Sequence, residues 1–171
     1  AIDLDPGDGV PFSRVVDTAR WVRDELEGIG IRGFPKTSGA DGLHIYIPLE
    51  PGTPYEAGRL FCQIVATIVA RKHPRVATVE RSVRHRGRTV YIDYLQNIEG
   101  KTLACAYSAR ASDYAGASTP LAWEEIDRGL DRRDFTIRTL PARIEKIGDL
   151  WAGLRQARGA DLLALERRLR S

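Results

Sequence analysis

Ile2-Asp3-Leu4-Asp5, Leu43-His44-Ile45-Tyr46-Ile47 and Val90-Tyr91-Ile92-Asp93-Tyr94 share one pattern, in which apolar residues alternate with a group that binds metal or phosphate. Side chains of a β-strand point to its two faces in turn. Ile2 and Leu4, Leu43, Ile45 and Ile47, and Val90 and Ile92 can therefore face a core together. Asp3, Asp5, His44 and Asp93 then face the other way. If the three strands share a sheet, one open face carries three carboxylates and an imidazole, a site for divalent cations and an anionic substrate. Asp3 and Asp5 would lie about 7 Å apart along their strand, a spacing that suits one or two cations when a neighbouring strand adds a third carboxylate.

Each group has a plainer reading beside this one. Asp3-x-Asp5 is also a strand end running into the turn Pro6-Gly7-Asp8-Gly9, and Asp93 is also a strand-end cap. A calcium loop starting at Asp3 fails, because Arg14 stands where a bidentate Glu is required.

Working outward, the order reads strand, helix, strand, strand, helix, strand, strand and a helical tail. Val15, Ala19, Val22 and Leu26 recur at steps of four, three and four, one face of a helix that Gly28 and Gly30 end. Ile31 to Pro35 is a short stretch with strand character, its apolar members Ile31 and Phe34. Thr53, Pro54 and Glu56 predict a capped helix start, with Thr53 as N-cap. Leu60, Ile64 and Ile68 are expected to form that helix's buried stripe, widened by Phe61 and Val65. Val76 to Val83 reads as a strand, Arg84 to Gly87 as a basic hairpin turn and Arg88 to Leu95 as its partner. Ala111 to Ser118 is a polar loop, followed by a helix around Trp123 and helical stretches from Pro141 to Arg170.

Length and composition suit one globular domain, residues 1–171, with a sizeable core. No apolar run approaches the roughly 18 residues that span a bilayer, and no secretory signal is present. Cys62 and Cys105 lack metal-ligand or redox spacing. A reducing cytoplasm and no membrane partner are the expectation. The net charge of +3 is carried largely by Arg, with Lys only at 36, 72, 101 and 146. Arg offers a planar fork for phosphate. The chain has no Met and a strand begins at residue 2, which suggests that preceding sequence is missing.

Thr37-Ser38-Gly39-Ala40-Asp41-Gly42 runs straight into the strand of His44. Glycines let backbone N–H groups turn inward as an anion-binding nest, with Ser38 and His44 as further donors. It is not a Walker loop. A hydrolase triad of Ser38, His44 and Asp93 lacks a nucleophile elbow and leaves Asp3 and Asp5 idle. Gln96, Asn97, Lys101 and Arg110 follow the third carboxylate and are placed to grip a triphosphate, or else line a solvated loop. His73 and His85 read as surface residues.

Together these segments resemble the archaeo-eukaryotic primase superfamily, and within it the polymerase domain of bacterial ATP-dependent DNA ligase D. The resemblance extends through Lys36-Thr37-Ser38-Gly39, Tyr94-Leu95-Gln96-Asn97, Gly100-Lys101-Thr102, Tyr107-Ser108-Ala109-Arg110, Pro120 to Glu125 and Asp134-Phe135-Thr136-Ile137. It implies an α+β fold: an RRM-like antiparallel sheet with helices on one face (residues 1–110) and a C-terminal helical extension (residues 111–171). Asp3, Asp5 and Asp93 would be the catalytic metal ligands. Ser38, Gly39, His44, Gln96, Lys101 and Arg110 would form the nucleotide site. Asp41 stands where many relatives have Lys, which puts a phosphate contact there in doubt. The stretch that family members carry before the first motif, used for base stacking, the ribose 2′-hydroxyl and the 5′-phosphate of a DNA end, is absent from this sequence.

The implied activity is two-metal nucleotidyl transfer, with Mn²⁺ preferred over Mg²⁺. Ribonucleotides would be added to a primer 3′-hydroxyl during end joining or gap filling. Implied partners are DNA primer-templates or DNA ends, NTP or dNTP, a ligase domain and a Ku-type end-binding protein, in a bacterial or archaeal cytoplasm near the nucleoid. Three rivals stand beside it: an RRM-like RNA-binding module that stacks bases on Tyr46 and Tyr91 and needs no aspartate triad, a metal-dependent nuclease or phosphatase using the same three carboxylates, and an inactive fragment.

Overall fold

The computed structural model describes residues 1–170. Its centre is a five-stranded sheet in the order β2-β3-β1-β5-β4. The strands are β1 (Ile2–Pro6), β2 (Phe34–Thr37), β3 (Leu43–Tyr46), β4 (Ala77–Thr78) and β5 (Val90–Asp93). Two long helices, α1 (Phe12–Gly28) and α2 (Tyr55–Lys72), connect them. β1 lies between β3 and β5 and runs antiparallel to both, and β2 completes an antiparallel run at one edge. This is the split β-α-β arrangement of RRM-like folds, so the mixed α+β architecture is as expected.

The strand alternation holds. Ile2, Leu4, Leu43, Ile45, Val90 and Ile92 are wholly buried, and they meet Val15, Ala19, Val22 and Leu26 of α1. Both long helices thus lie on one face of the sheet. At about 25 cal/mol per Å² of apolar surface, each buried Leu, Ile or Val contributes roughly 1.5–3 kcal/mol, and this face is where the fold is held. Leu121, Ile126 and Phe135 join the same core cluster, so the C-terminal segment packs onto it. That segment contains α3 (Trp123–Arg128), α4 (Leu140–Ile147), α5 (Ala152–Gln156) and α6 (Leu162–Arg170). Arg143 of α4 donates two hydrogen bonds of 2.6 Å to Glu125 of α3, tying these two helices together.

Three local expectations are corrected. The buried stripe of α2 is Phe61, Cys62, Val65, Ala66 and Val69, with Gly58, whereas Leu60, Ile64 and Ile68 are 56%, 51% and 36% exposed. Two adjacent apolar stripes share the same four-residue step, and the small residues Gly58, Cys62 and Ala66 let one of them approach the sheet closely. Thr53 does not cap α2: its hydroxyl and its N–H both donate to Glu50 O, so Pro54 holds the N-cap position without a side-chain bond. The hairpin over residues 76–95 does not form. β4 is short and pairs parallel with β5, and residues 79–89 leave the sheet through a 3₁₀ turn at Val83–His85. An antiparallel hairpin closed at Arg84–Gly87 would crowd the like charges of Arg84, Arg86 and Arg88 at its turn end. Instead Arg86 donates to the carbonyls of Glu80 and Arg81. Among the described residues, no helix is long and apolar enough to cross a membrane.

Candidate active site

The register of β1 decides the geometry. Asp3 stands directly opposite His44 of β3 on one side and opposite Asp93 of β5 on the other, and Asp5 is opposite Tyr91. Facing residues on neighbouring antiparallel strands have Cα atoms about 4.5–5.5 Å apart. Two carboxylates placed across a ladder repel each other. Local rules of this kind are broken at functional sites.

The face is not open, as the alternation alone suggested. Asp3, His44 and Asp93 are only 7%, 3% and 8% exposed. Thr37 N donates to Thr119 O, Leu121 N donates to Pro35 O, and Lys36 bridges to Pro120, so residues 119–121 run along the edge of β2. On the polar face, Thr102, Leu103 and Ala104 help to wall a cleft of about 400 Å³. Asp3, Asp5, Ser38, His44, Arg86, Gln96 and Arg110 line it.

Each predicted residue can be placed. Asp3 Oδ1 is buried and accepts no hydrogen bond; His44 Nε2 is 3.3 Å away, close enough for an ion pair but without hydrogen-bond alignment. Asp5 is exposed to the cleft. The protein around it strips part of its hydration, Asp3 and Asp93 add negative charge, and its carboxyl is raised to about 7. Asp93 is the most engaged of the three: Oδ1 accepts from Leu95 N (2.7 Å) and from the Tyr91 hydroxyl (3.3 Å), and Oδ2 accepts from Gln96 Nε2 (3.0 Å). Burial, then the Asp93 charge, pushes the Tyr91 phenol up to about 12.

Ser38 closes its own loop. Its Oγ accepts from Ala40 N (3.1 Å) and Gly42 N (3.0 Å), so these two amides are already engaged and the expected nest is only partly available to an anion. Gly39 has φ +82°, and a Cβ there would collide with Arg110 Cγ; the stem of Arg110 lies across the glycine. Lys101 is exposed and is not among the cleft residues. Asp41 pairs with Arg132, whose guanidinium also donates to Ala40 O. The Ser38-His44-Asp93 triad is not assembled: the ring nitrogens of His44 face Lys36 and Asp3, and Asp93 bonds to Gln96 and Leu95. The RNA-stacking alternative also weakens, because Tyr91 is buried under Arg86, 3.7 Å from its ring, and Tyr46 packs edge-on against Trp151. His73, expected at the surface, is half-buried and stacks on Trp21 at 3.6 Å.

Sequence reasoning missed Lys36, Arg86 and Ser118 as site residues. Lys36 is wholly buried and its ammonium is lowered to about 8, chiefly by loss of hydration. The available signals were its place in the motif Lys36-Thr37-Ser38-Gly39 and its rarity, as one of four Lys in an Arg-rich chain.

Residues 1–151 match the model of the LigD primase-polymerase domain. The chain belongs to this family. Among LigD relatives, it is 39% identical over 148 residues to the bifunctional non-homologous end joining protein LigD of Bacillus subtilis, covering 86% of this chain and 24% of that protein. It is 34% identical over 169 residues to the multifunctional LigD of Mycobacterium tuberculosis, covering 98% of this chain and 22% of the relative. The solved polymerase domain of M. tuberculosis ligase D in complex with DNA superposes with a TM-score of 0.83 at 33% identity, over 92% of this chain and 55% of that one. The chain thus spans about a quarter of its LigD relatives and about half of the solved polymerase domain.

Among the described residues, no three His, Cys, Asp or Glu side chains are grouped so that they could hold a metal ion as they stand. The donor set nonetheless fits hard divalent cations. It supplies carboxylate oxygens alone, with Asp3 Oδ1 lacking a partner and Asp5 repelled by its two neighbours. Because Asp5 is raised, its protonated form is favoured in the folded state. Its contribution to stability is present below its ordinary value of 3.8 and is lost as pH rises through about 7. A cation held by Asp5 would have to displace that proton. Apparent Mn²⁺ affinity is therefore expected to fall by about tenfold per pH unit below about 7, as measured by calorimetry at several pH values. A flat profile would show that Asp5 is not a ligand.

Proposed function

We propose that this chain is the catalytic portion of a nucleotidyltransferase that extends a primer 3′-hydroxyl in DNA end joining or gap filling. The observation that carries it is Asp3, with an unpartnered buried oxygen, set between Asp93 and His44 on the central strand of a LigD primase-polymerase sheet. Asp3, Asp5 and Asp93 would hold two divalent ions, Mn²⁺ or Mg²⁺, which supply Lewis-acid activation of the attacking hydroxyl and charge neutralisation at the leaving pyrophosphate. Three carboxylates leave one positive charge of two such ions unbalanced, which the incoming triphosphate can offset.

The remaining work falls to the protein's own side chains. Arg110 lies over Gly39 at the cleft wall, where a guanidinium can grip phosphate oxygens in a bidentate manner. His44 presents Nε2 towards Asp3 at the cleft floor. Gln96 holds Asp93, and Ser38 fixes the loop beside them. Such a site acts by positioning and electrostatics. Ribonucleotide preference, DNA ends as substrate, and action beside a ligase and a Ku-type protein belong to the same proposal; the DNA-bound polymerase domain and the end-joining LigD relatives support its DNA substrate and its place in end joining.

Incubation with labelled primer-template, nucleotide and Mn²⁺ tests it. Extension supports the proposal, shortening supports a nuclease, and unaltered primer in every condition overturns it. Arg110→Ala is expected to raise the nucleotide KM by roughly tenfold or more, the scale of a lost charge-assisted hydrogen bond, with kcat changed less. An unchanged KM would remove Arg110 from the nucleotide site.

A further inference from the structure

Lys36 sits on β2 directly opposite His44, on the polar face of the sheet. Lys is among the residue types least often buried without partners, yet this side chain is 0% exposed. Its Nζ is 2.5 Å from Ser118 Oγ and 2.9 Å from His44 Nδ1, and it lies 5.7 Å from the centre of the Tyr46 ring.

The direction of these bonds follows from donor and acceptor chemistry. Ser118 Oγ donates its proton to Thr37 O at 3.0 Å, so it can only accept from Lys36. An ammonium has donors and no acceptor. His44 Nδ1 must then accept, and a proton on Nδ1 would confront the ammonium donor to donor. The ring's proton therefore sits on Nε2, the nitrogen 3.3 Å from Asp3 Oδ1 and turned to the cleft.

We infer that Lys36, anchored by Ser118, is the positioning residue for His44, holding its ring as the Nε2–H tautomer and leaving that N–H for the phosphate of a bound nucleotide. The nucleotide part of this inference rests on the function proposed above; the orientation of the ring does not. Groups that orient a functional histidine through its other nitrogen commonly matter about 10–100-fold to activity. The arrangement also explains why Ser118, far from the three motif strands in sequence, is wholly buried against β2.

The test is ¹⁵N NMR of the metal-free protein labelled at histidine, which has only His44, His73 and His85 to resolve. His44→Ala serves to assign the His44 signals. The wild-type ring is expected as the Nε2–H tautomer, with Nδ1 unprotonated. In Lys36→Met the ring should become a mixture of tautomers, and Mn²⁺-dependent nucleotide addition should fall by about 10–100-fold. The double variant Lys36→Met/His44→Ala should be no slower than His44→Ala alone, since Lys36 acts through the ring. An Nδ1–H tautomer in the wild type, an unchanged ring in Lys36→Met, or losses that simply multiply would each overturn the inference. If Lys36→Met does not fold, the wild-type spectrum decides by itself. Absence of nucleotide addition by the wild type would count against nucleotidyl transfer and leave the tautomer result standing.

Discussion

Asp3→Asn is expected to abolish Mn²⁺-dependent nucleotide addition while leaving the protein at least as resistant to heat. The substitution keeps the shape of the side chain and removes one charge from a buried position between Asp93 and His44. Loss of a cation ligand removes several kcal/mol of transition-state stabilisation, and about 4 kcal/mol corresponds to roughly a thousandfold in rate. Stability should move the other way in the metal-free protein, because Asn relieves the repulsion that Asp3 exerts on Asp5 and carries no buried charge. Primer extension and thermal unfolding without metal give the two readings. A variant that extends primers normally would remove Asp3 from the site, and one that loses both activity and thermal stability would make Asp3 a structural residue.

Gly42→Ala is expected to destabilise the protein and to weaken nucleotide binding. A Cβ at residue 42 would press into the backbone carbonyl of Leu4 on β1, with Asp5 Oδ1 only 3.6 Å away. The obstructing atom is main chain in the central strand, so the loop must give way. Overpacking of this kind costs roughly 1–3 kcal/mol. The shift also pulls on Ser38, whose Oγ accepts from Gly42 N and whose N–H donates to Gly42 O. Urea unfolding should show a lower midpoint with an unchanged slope, and nucleotide affinity should fall with it. Unaltered stability would mean that the loop is not held against β1. Gly39→Ala would meet the root of the Arg110 side chain and the main-chain N of Ser118 at 2.9 Å, and its φ of +82° adds strain.

The activity and the stability of this site pull in opposite directions. A central strand with a carboxylate opposed across the ladder, and a second two residues on, is a poor solution for folding alone. The apolar layer on the reverse face compensates: Ile2 and Leu4 on the same strand are wholly buried beneath α1. Function and fold thus divide a single strand between its two faces.

That division could be read from the chain. Period-two alternation assigned every residue of β1, β3 and β5 to its correct side, because in a strand the choice of face is a local property. The same logic placed the face of α1. It failed for α2, where two stripes of equal period compete, and for residues 79–89, where the Arg86 guanidinium takes the carbonyls of Glu80 and Arg81, contacts that no period encodes. Arg86 came to the cleft by that detour.

The sequence by itself determined which residues carry charge into the site and which layer buries them, since both follow from alternation and residue chemistry over a few positions. The tertiary structure alone decided how they meet: the pairing of Asp3 with both His44 and Asp93, the burial of that trio, and the chain from Ser118 through Lys36 to His44. Those contacts join residues separated by tens of positions. Their existence depends on strand order and on where residues 117–121 return, which no local pattern encodes.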